Sequence, residues 1–410
     1  SLNSLQLRAA LNDKVLQGYW LTDVEIVSSA PRFVPIWQPN TKRYAQIVRF
    51  ALSEKDFGRA SVINADKGYR LLAHKRYQSS GADTRVAAIW VESDIKRSRF
   101  ASAIAFQSAI KQLQRNYPKV DVSVAAFKRG ALVFSRAFER TAQCDDCTGL
   151  SSGMPFSLGT VSQGVAGVLA ARLEYKQASY LGVPFNLSLN WLTKDLMPLM
   201  PKHHTHKAID LLSHRACLKA DYTGQADSFS VERFSARELL QQQWHEPLMA
   251  GCAAGQYEEV SISGFLYLAA FLESATGRSV EELISQELAQ PYKLQSLSVG
   301  QFAPKNILGS GLQSSAPDLG LLLSKVLDGE LVSSRYRRQR FLKSTGHSQR
   351  YSFGWQLVSN RLAELADDSK NSASRVTFEH HSGRILVLLV RGSVQPSSLN
   401  KLQTELLSLL

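Results

Sequence analysis

The chain has 410 residues, of which 44% are hydrophobic and 20% charged, and its net charge at pH 7 is +13. This is ordinary globular composition in enough chain for two or three domains, so it excludes wholesale disorder, collagen and a small disulfide scaffold. The longest aliphatic run, residues 385–390, is too short to cross a bilayer, and no transmembrane segment is predicted. The basic excess favours a polyanionic partner such as nucleic acid, an acidic glycan or a lipid surface.

Two similar stretches lie 50 residues apart within residues 1–95. One begins Gly18-Tyr-Trp-Leu and ends Ile36-Trp37, and the other begins Gly68-Tyr-Arg-Leu and ends Ile89-Trp90. Each predicts a β-hairpin, because two strand-like runs flank a polar turn, and residues 44–50 predict a further strand between them. We interpret residues 1–95 as a small β-rich tandem-repeat domain. Trp37 and Trp90 are predicted core residues, with an exposed aromatic platform for a polymer as the alternative.

Residues 96–410 alternate between helical and strand-like patterns. The predicted helices are residues 101–116, 160–174, 264–276, 279–289 and 396–410. The predicted strands are residues 121–127, 131–137, 353–358, 375–381 and 384–390, the last two joined by a turn at Ser382-Gly383. A terminal helix, a strand hairpin, a helical insert and more strands predict an α+β sandwich.

Four cysteines are present, at positions 144, 147, 217 and 252. The pair Cys144 and Cys147 is compatible with a structural disulfide, with free thiols, or with a zinc site completed by the cluster His203-His204-Thr-His206. The two aspartates between these cysteines oppose thiolate formation, which argues against a redox site. An even cysteine count and a first residue other than Met favour an exported protein, secreted or periplasmic.

One basic cluster stands out locally, and we interpret it as a solvated helix or loop. Its members are Arg335, Arg337, Arg338, Arg340 and Lys343. No zinc-finger, RNP or helix-turn-helix signature accompanies it, so the charge alone is the argument for a polyanion.

The order of elements resembles the serine β-lactamase and penicillin-binding-protein superfamily, in particular its class C and esterase branch. Five segments carry the resemblance, in the correct order over about 300 residues. They are Phe156-Ser-Leu-Gly-Thr-Val-Ser-Gln163, Leu211-Leu-Ser-His214, the helix from Gly264 to Gly277, Gly309-Ser-Gly-Leu-Gln-Ser-Ser-Ala-Pro-Asp318 and Tyr351-Ser-Phe-Gly-Trp355. The resemblance implies a β-lactamase-like α/β sandwich with a helical subdomain over residues 96–410. The preceding Gly-Tyr…Ile-Trp repeats resemble those that precede the catalytic domain of polyglycine hydrolases.

The catalytic motifs implied by this resemblance are altered. Thr160 stands where the family has its serine nucleophile, and Gln163 stands where it has the lysine base three residues later on the same helix face. Glutamine has no proton affinity near neutral pH and cannot act as a base. The second motif, Tyr-x-Asn, is replaced by Val260 and Ile262, whose side chains transfer no proton.

The third motif, Lys-Thr-Gly or His-x-Gly on an inner strand, has its nearest match at His381-Ser-Gly383, with His380 as the alternative register. The two-residue turn that follows predicts a shortened strand edge at the substrate site. The family also implies that the loops carrying Cys217 and Cys252 border one cleft, so we predict a Cys217–Cys252 disulfide beside a local Cys144–Cys147 one.

With nucleophile, base, relay and third motif all changed, no proton path remains. We therefore expect an exported pseudoenzyme that acts as a binding protein for a cell-wall polymer, an acidic polymer or another protein, with no cofactor and no metal. One alternative is an atypical peptidase or esterase related to polyglycine hydrolases, in which Thr160 attacks and His381 or His214 is the base. The other alternative is a protein that binds polyanions through its charge alone.

Overall fold

The protein is described from a computed structural model. The residues that it describes are 2–27, 32–40, 45–66, 69–79, 83–92, 103–140, 150–176, 179–180, 183–184, 187–197, 205–218, 236, 248–249, 251–256, 258–300, 306–343, 350–359, 361–369 and 371–410.

The N-terminal part combines short helices with antiparallel strands. Its elements are α1 (Ser4–Leu16), β1 (Tyr19–Ile26), β2 (Phe33–Pro39), β3 (Gln46–Leu52), α2 (Glu54–Asp66), β4 (Tyr69–Gln78) and β5 (Thr84–Glu92). Strand β1 pairs with β2, and β3, β5 and β4 form a three-stranded sheet in that order. Both hairpins predicted from the Gly-Tyr segments are thus present as antiparallel pairs. Trp90 is buried, and Trp37 is partly buried against the apolar interior.

The remainder of the chain begins with a helix and a hairpin and ends with five further strands and a helix. Its first elements are α3 (Ala103–Asn116), β6 (Asp121–Lys128), β7 (Ala131–Phe138), β8 (Phe156–Ser157), the 3₁₀ turn Gly159–Val161, α4 (Ser162–Lys176), β9 (Ser179–Tyr180), β10 (Val183–Pro184), α5 (Thr193–Leu196) and α6 (Ala208–Leu212). The middle elements are α7 (Ser263–Thr276), α8 (Val280–Leu283), the π turn Ile284–Ala289, α9 (Gln290–Tyr292), β11 (Ser298–Val299), the π turn Ile307–Gly311, β12 (Leu312–Ser314), α10 (Ala316–Leu327), α11 (Ser334–Tyr336) and the π turn Arg337–Phe341. The last elements are β13 (Tyr351–Ser352), β14 (Trp355–Leu357), β15 (Leu362–Asp367), β16 (Ser372–Glu379), β17 (Arg384–Arg391) and α12 (Pro396–Leu409).

A seven-stranded antiparallel sheet organises this part, in the order β13-β14-β15-β16-β17-β6-β7. Strand β17 pairs with β6 along its whole length, from Arg384 opposite Lys128 to Arg391 opposite Asp121. Strands from the end of the chain therefore pair with the β6–β7 hairpin in one sheet. The helical middle of the chain lies between these two parts in sequence.

The two faces of the sheet bury different apolar side chains, because successive residues of a strand point to opposite sides. In β17, Ile385 and Val387 face the interior that contains α4 and α10, whereas Leu386 and Leu388 face α3 and α12. This gives three layers, helix on sheet on helix, which agrees with the predicted α+β sandwich. The fold is α+β, a β-lactamase-like sandwich with a small β-rich region before it.

The structure corrects two predicted elements. The strand predicted at residues 353–358 begins only at Trp355, because Phe353 and Gly354 have φ of 49° and 78° and form the turn between β13 and β14. The strand predicted to reach His381 ends at Glu379, and residues 380–383 form the turn to β17. This turn is two residues longer than the sequence suggested.

Candidate functional site

Thr160 lies in the 3₁₀ turn Gly159–Val161 that leads into α4, the place predicted for the nucleophile. Its side chain is partly exposed. The hydroxyl donates a hydrogen bond to the carbonyl oxygen of Ala366 over 2.8 Å, and the backbone N–H donates to Oδ1 of Asp367 over 3.0 Å. Both groups that a nucleophile would use in acyl transfer are thus engaged by the end of strand β15.

Asp367 is nearly fully buried beside this turn. Its second oxygen accepts a hydrogen bond from the backbone N–H of Ser369 over 3.3 Å. Gly159, at φ +53°, leaves the space for the carboxylate, since a Cβ there would lie 2.2 Å from Cγ of Asp367. The absence of a side chain at Gly159 therefore makes room for the Asp367 carboxylate beside Thr160.

Gln163 follows Thr160 by three residues on α4, and it is 2% exposed. Its side-chain Nε2 has no hydrogen-bond partner among the described residues. The backbone around it is tightly packed, because a Cβ at Gly354 would lie 2.3 Å from the carbonyl oxygen of Gln163, and the Trp355 indole N–H donates to Gly164. An amide accepts no proton at neutral pH, so Gln163 cannot act as a general base.

Val260 and Ile262, the predicted replacements of the second motif, precede α7. The side chain of Val260 is 44% exposed, so it does not fill the interior of a cleft. The carbonyl oxygen of Ile262 accepts a hydrogen bond from the Asn306 side chain over 2.6 Å. Between them Ser261 is buried, and its Oγ accepts from the N–H of Gly264 over 3.3 Å. The segment serves here as the start of a helix.

His381 and His380 are not brought to Thr160. Ala366, which contacts Thr160, pairs with Arg375 in β16, whereas both histidines follow Glu379 at the far end of that strand. Glu379 lies four residue steps along the strand from Arg375, roughly 13 Å at about 3.3 Å per residue. His381 therefore does not lie at the third-motif position predicted for it, because Thr160 bonds to the end of β15 and both histidines follow the opposite end of β16.

Asp367 is the site residue that the sequence reasoning missed. A signal existed, since the strand after the Tyr-Ser-Phe-Gly-Trp segment in chain order is Leu362–Asp367, which ends at an aspartate and is followed by a second one, Asp368. An acidic side chain does not match the family pattern of a histidine or lysine followed by glycine, so that pattern alone does not identify Asp367.

His214, the alternative base, is buried next to α7. Its Nδ1 accepts a hydrogen bond from the N–H of Ser261 over 3.1 Å, and its ring stands edge-on to that of Tyr351 at 4.7 Å. Burial lowers the pKa of His214 to about 4, so the imidazole is neutral at pH 7 and is a weak base. The contacts are those of a structural histidine.

Cys217 and Cys252 form a disulfide, as predicted. Cys144 and Cys147 lie outside the described residues, as do His203 and His204. His206 is buried, and its ring packs edge-on against that of Tyr267 at 5.8 Å. In the part of the chain that the structure describes, no three histidine, cysteine or acidic side chains are grouped as metal ligands would be.

The basic cluster near Arg335 is only partly solvated, which corrects its interpretation. Arg337 is buried and donates to the carbonyl oxygens of Val326 and Leu327. Arg340 forms an ion pair with Glu174, which also accepts hydrogen bonds from the Tyr336 hydroxyl and the backbone N–H of Leu189. The remaining members Arg335, Arg338 and Lys343 are exposed. Among the described helices, none has the length and apolar character needed to span a membrane.

Comparisons with known proteins agree with this fold. The family model described as Beta-lactamase matches residues 106–392. No curated protein matches the chain significantly. The octameric penicillin-binding protein homologue from Pyrococcus abyssi is 16% identical, with 74% of this chain and 77% of that one covered at a TM-score of 0.60.

Two further solved structures are similar. FmtA from Staphylococcus aureus is 17% identical, with 74% of this chain and 88% of that one covered at a TM-score of 0.59. EstCE1, a hydrolase with promiscuous acyltransferase activity, is 14% identical, with 75% and 99% covered at a TM-score of 0.60. At such identities the likeness concerns the fold alone. Since the family model spans well over half of the sequence, the chain belongs to the beta-lactamase family.

Proposed function

We propose that the chain is an exported, non-catalytic member of its family that acts as a binding protein. The observation that carries this proposal is the hydrogen bond from the Thr160 N–H to the Asp367 carboxylate. Acyl transfer develops negative charge on the substrate oxygen, and the backbone N–H of the nucleophile commonly stabilises it. A carboxylate on that N–H places a negative charge where another would have to form.

The expected loss of reaction rate is large. Loss of one oxyanion donor costs roughly 10²–10³-fold in rate, and loss of a positioned base costs about 10²–10⁴-fold. Thr160 has its N–H occupied, and Gln163 supplies no base. Together these changes would remove the greater part of the rate enhancement that the two groups provide.

The third motif adds to the same argument. The family's basic or histidine-containing motif flanks the nucleophile, and the segment that flanks Thr160 here is Ala366-Asp367-Asp368. Asp368 is paired with the buried Arg375 over 2.6 Å, so its charge belongs to the sheet and not to a ligand. The segment beside the nucleophile position, which is basic in the family, is therefore acidic in this chain, and both of its carboxylates have partners within the protein.

Export and binding have their own support. A disulfide between Cys217 and Cys252 fits an oxidising compartment. The net charge of +13 suits a cell-wall or other acidic polymer as partner. If the partner is such a polymer, retention on it should weaken steeply between roughly 50 and 200 mM salt.

We also propose that residues 1–95 form a tandem-repeat domain, separate from residues 96–410. Strand β1 has a bulge after Leu21, which lies opposite Trp37, and β4 has one after Leu71, which lies opposite Trp90. The same irregularity therefore recurs at matching positions of both Gly-Tyr…Ile-Trp segments. Residues 96–410 expressed alone should fold, and an unfolded product would contradict this boundary.

The test of the inactive site is covalent labelling. The full chain is incubated with a fluorescent penicillin and with an alkyl fluorophosphonate, beside an active serine β-lactamase and the Thr160→Ala variant, and the intact mass is measured. We expect an adduct on the β-lactamase alone. An adduct that maps to Thr160 and disappears in Thr160→Ala would overturn the proposal and restore the atypical hydrolase.

A further inference from the structure

We propose that a groove between α2 and the α3–β7 surface binds an amphiphilic anion, namely a single-chain alkyl carboxylate. The groove is open to solvent and has a volume of about 700 Å³, within the roughly 300–1,000 Å³ typical of small-molecule sites. It lies away from Thr160, and the inference is independent of the state of that site.

The floor of the groove is apolar. Ile63 of α2 lines it and is 51% exposed, although it is a large aliphatic side chain. Ala137, Phe138 and Leu150 complete the floor from the other side. An alkyl chain placed here would cover this surface, which gains roughly 25 cal/mol for each Å² of apolar area removed from water.

The rim of the groove is cationic. Four basic side chains line it against one acidic side chain, Glu139. These four are Arg59, Lys111, Arg115 and Arg136. A carboxylate headgroup complements such a rim, because guanidinium and ammonium groups form strong charge-assisted hydrogen bonds to it.

Two of these cations have no competing partner within the described residues. Arg59 and Lys111 form no ion pair there, and Arg115 donates to the neutral side chain of Gln112 over 3.2 Å. Lys111 and Arg115 are also four residues apart on α3, a spacing at which like charges repel. A bound anion between them would turn this repulsion into attraction.

The groove is preformed on one side. Gln114 is buried, and its Nε2 donates to the carbonyl oxygens of Val120, Phe138 and Glu139 at 2.9–3.1 Å. These bonds fix the end of β7 against α3, so the Phe138 floor and the α3 cations keep one geometry. A ligand seated there would touch α2 as well, and would therefore hold the N-terminal part against the sandwich.

The test is titration of the full chain with dodecanoate below its micelle concentration, followed by calorimetry, with acetate, dodecanol and dodecyltrimethylammonium as comparison probes. We expect dodecanoate to bind at least tenfold more tightly than each of the three, because only it offers both a chain and an anion. The double variant Arg59→Gln/Lys111→Gln should weaken dodecanoate binding by roughly tenfold or more. The matched control Lys55→Gln/Arg338→Gln removes the same charge from exposed positions outside the groove lining and should bind as the parent does.

Far-UV circular dichroism checks that both double variants are folded. Equal binding of dodecanoate to the parent and to the groove variant would overturn the inference. So would equal affinity for acetate, which would reduce the groove to a simple anion site, or for dodecanol, which would make it merely apolar. Labelling of Thr160 bears on the inactive site only, so the two proposals fail separately.

Discussion

Replacement of Asp367 by alanine tests the central contact of the site. The substitution removes the acceptor of the Thr160 N–H and of the Ser369 N–H, at 3.0 and 3.3 Å. Because Asp367 is 6% exposed, little water is present to take over these donors. The folded state should therefore lose stability, whereas the chemistry of Thr160 should not change, since Gln163 still supplies no base.

The magnitude follows from the type of bond. A hydrogen bond to a charged group contributes roughly 1.5–3 kcal/mol, and the longer Ser369 bond lies at or below the lower end. We expect Asp367→Ala to lower the free energy of unfolding by about 2–4 kcal/mol. Asp367→Asn keeps an oxygen acceptor in the same place and should cost about 1 kcal/mol. Glu405→Ala, at an exposed position of α12, should stay within about 0.5 kcal/mol of the parent.

Urea unfolding of the four proteins measures these differences at constant pH and salt. An Asp367→Ala variant as stable as Glu405→Ala would refute the reasoning, because the carboxylate would then not hold the Thr160 turn. A fluorescent penicillin is applied to the same samples, and new labelling of Thr160 in Asp367→Ala would show that the carboxylate alone had silenced the site.

Three further predictions concern stability. Burial lowers the pKa of His214 to about 4, so below about pH 6.5 the unfolded chain binds more protons at this residue than the folded one does. The contribution of His214 should be constant above that pH and should cost roughly 3 kcal/mol of stability as the pH drops to 4. Stability should therefore fall less steeply with pH in His214→Gln than in the parent, and an unchanged fall would exclude His214. The Cys217→Ser/Cys252→Ser variant opens a loop of 35 residues and should lose about 3–4 kcal/mol in urea unfolding, a result that an unchanged midpoint would contradict. Gly167→Ala should destabilise the protein by several kcal/mol, because the new Cβ would lie 1.7 Å from the Phe353 carbonyl oxygen. Gly264→Ala, with nothing nearer than 3.8 Å, should instead gain about 0.5–1 kcal/mol from helix propensity, and equal melting temperatures of the two variants would contradict the close contact between α4 and Phe353.

The fold could be predicted because its determinants are local and periodic. The apolar run after Thr160 specifies α4, and the short, largely apolar runs within residues 121–137 and 384–390 specify strands that are buried on both faces. The Cys217–Cys252 pairing followed from the resemblance to a known cleft, and the structure confirms it. Thr160 and Gln163 could be assigned for the same reason, since motif and helix lie in one short segment.

The third motif could not be placed in this way, because its position depends on strand pairing and not on local pattern. His381 matches the letters of the motif, but the register Ala366 opposite Arg375 puts the other end of the sheet beside Thr160. A shift from one strand to its neighbour changes which residues reach the nucleophile, and no periodicity in the sequence reports it. The buried role of Arg337 was missed for a similar reason, since its acceptors at Val326 and Leu327 are formed only by the tertiary packing.

The altered positions of the site depend on one another. Asp367 can approach the Thr160 N–H because residue 159 is glycine, and a Cβ at that position would overlap the carboxylate. The Thr160 hydroxyl in turn donates to Ala366 of the same strand, so the turn and the strand end are tied by two bonds. Restoration of serine and lysine at positions 160 and 163 alone would leave the carboxylate on the N–H. The inactivity that we propose therefore depends on the packing of β15 against the turn as well as on the identities of Thr160 and Gln163.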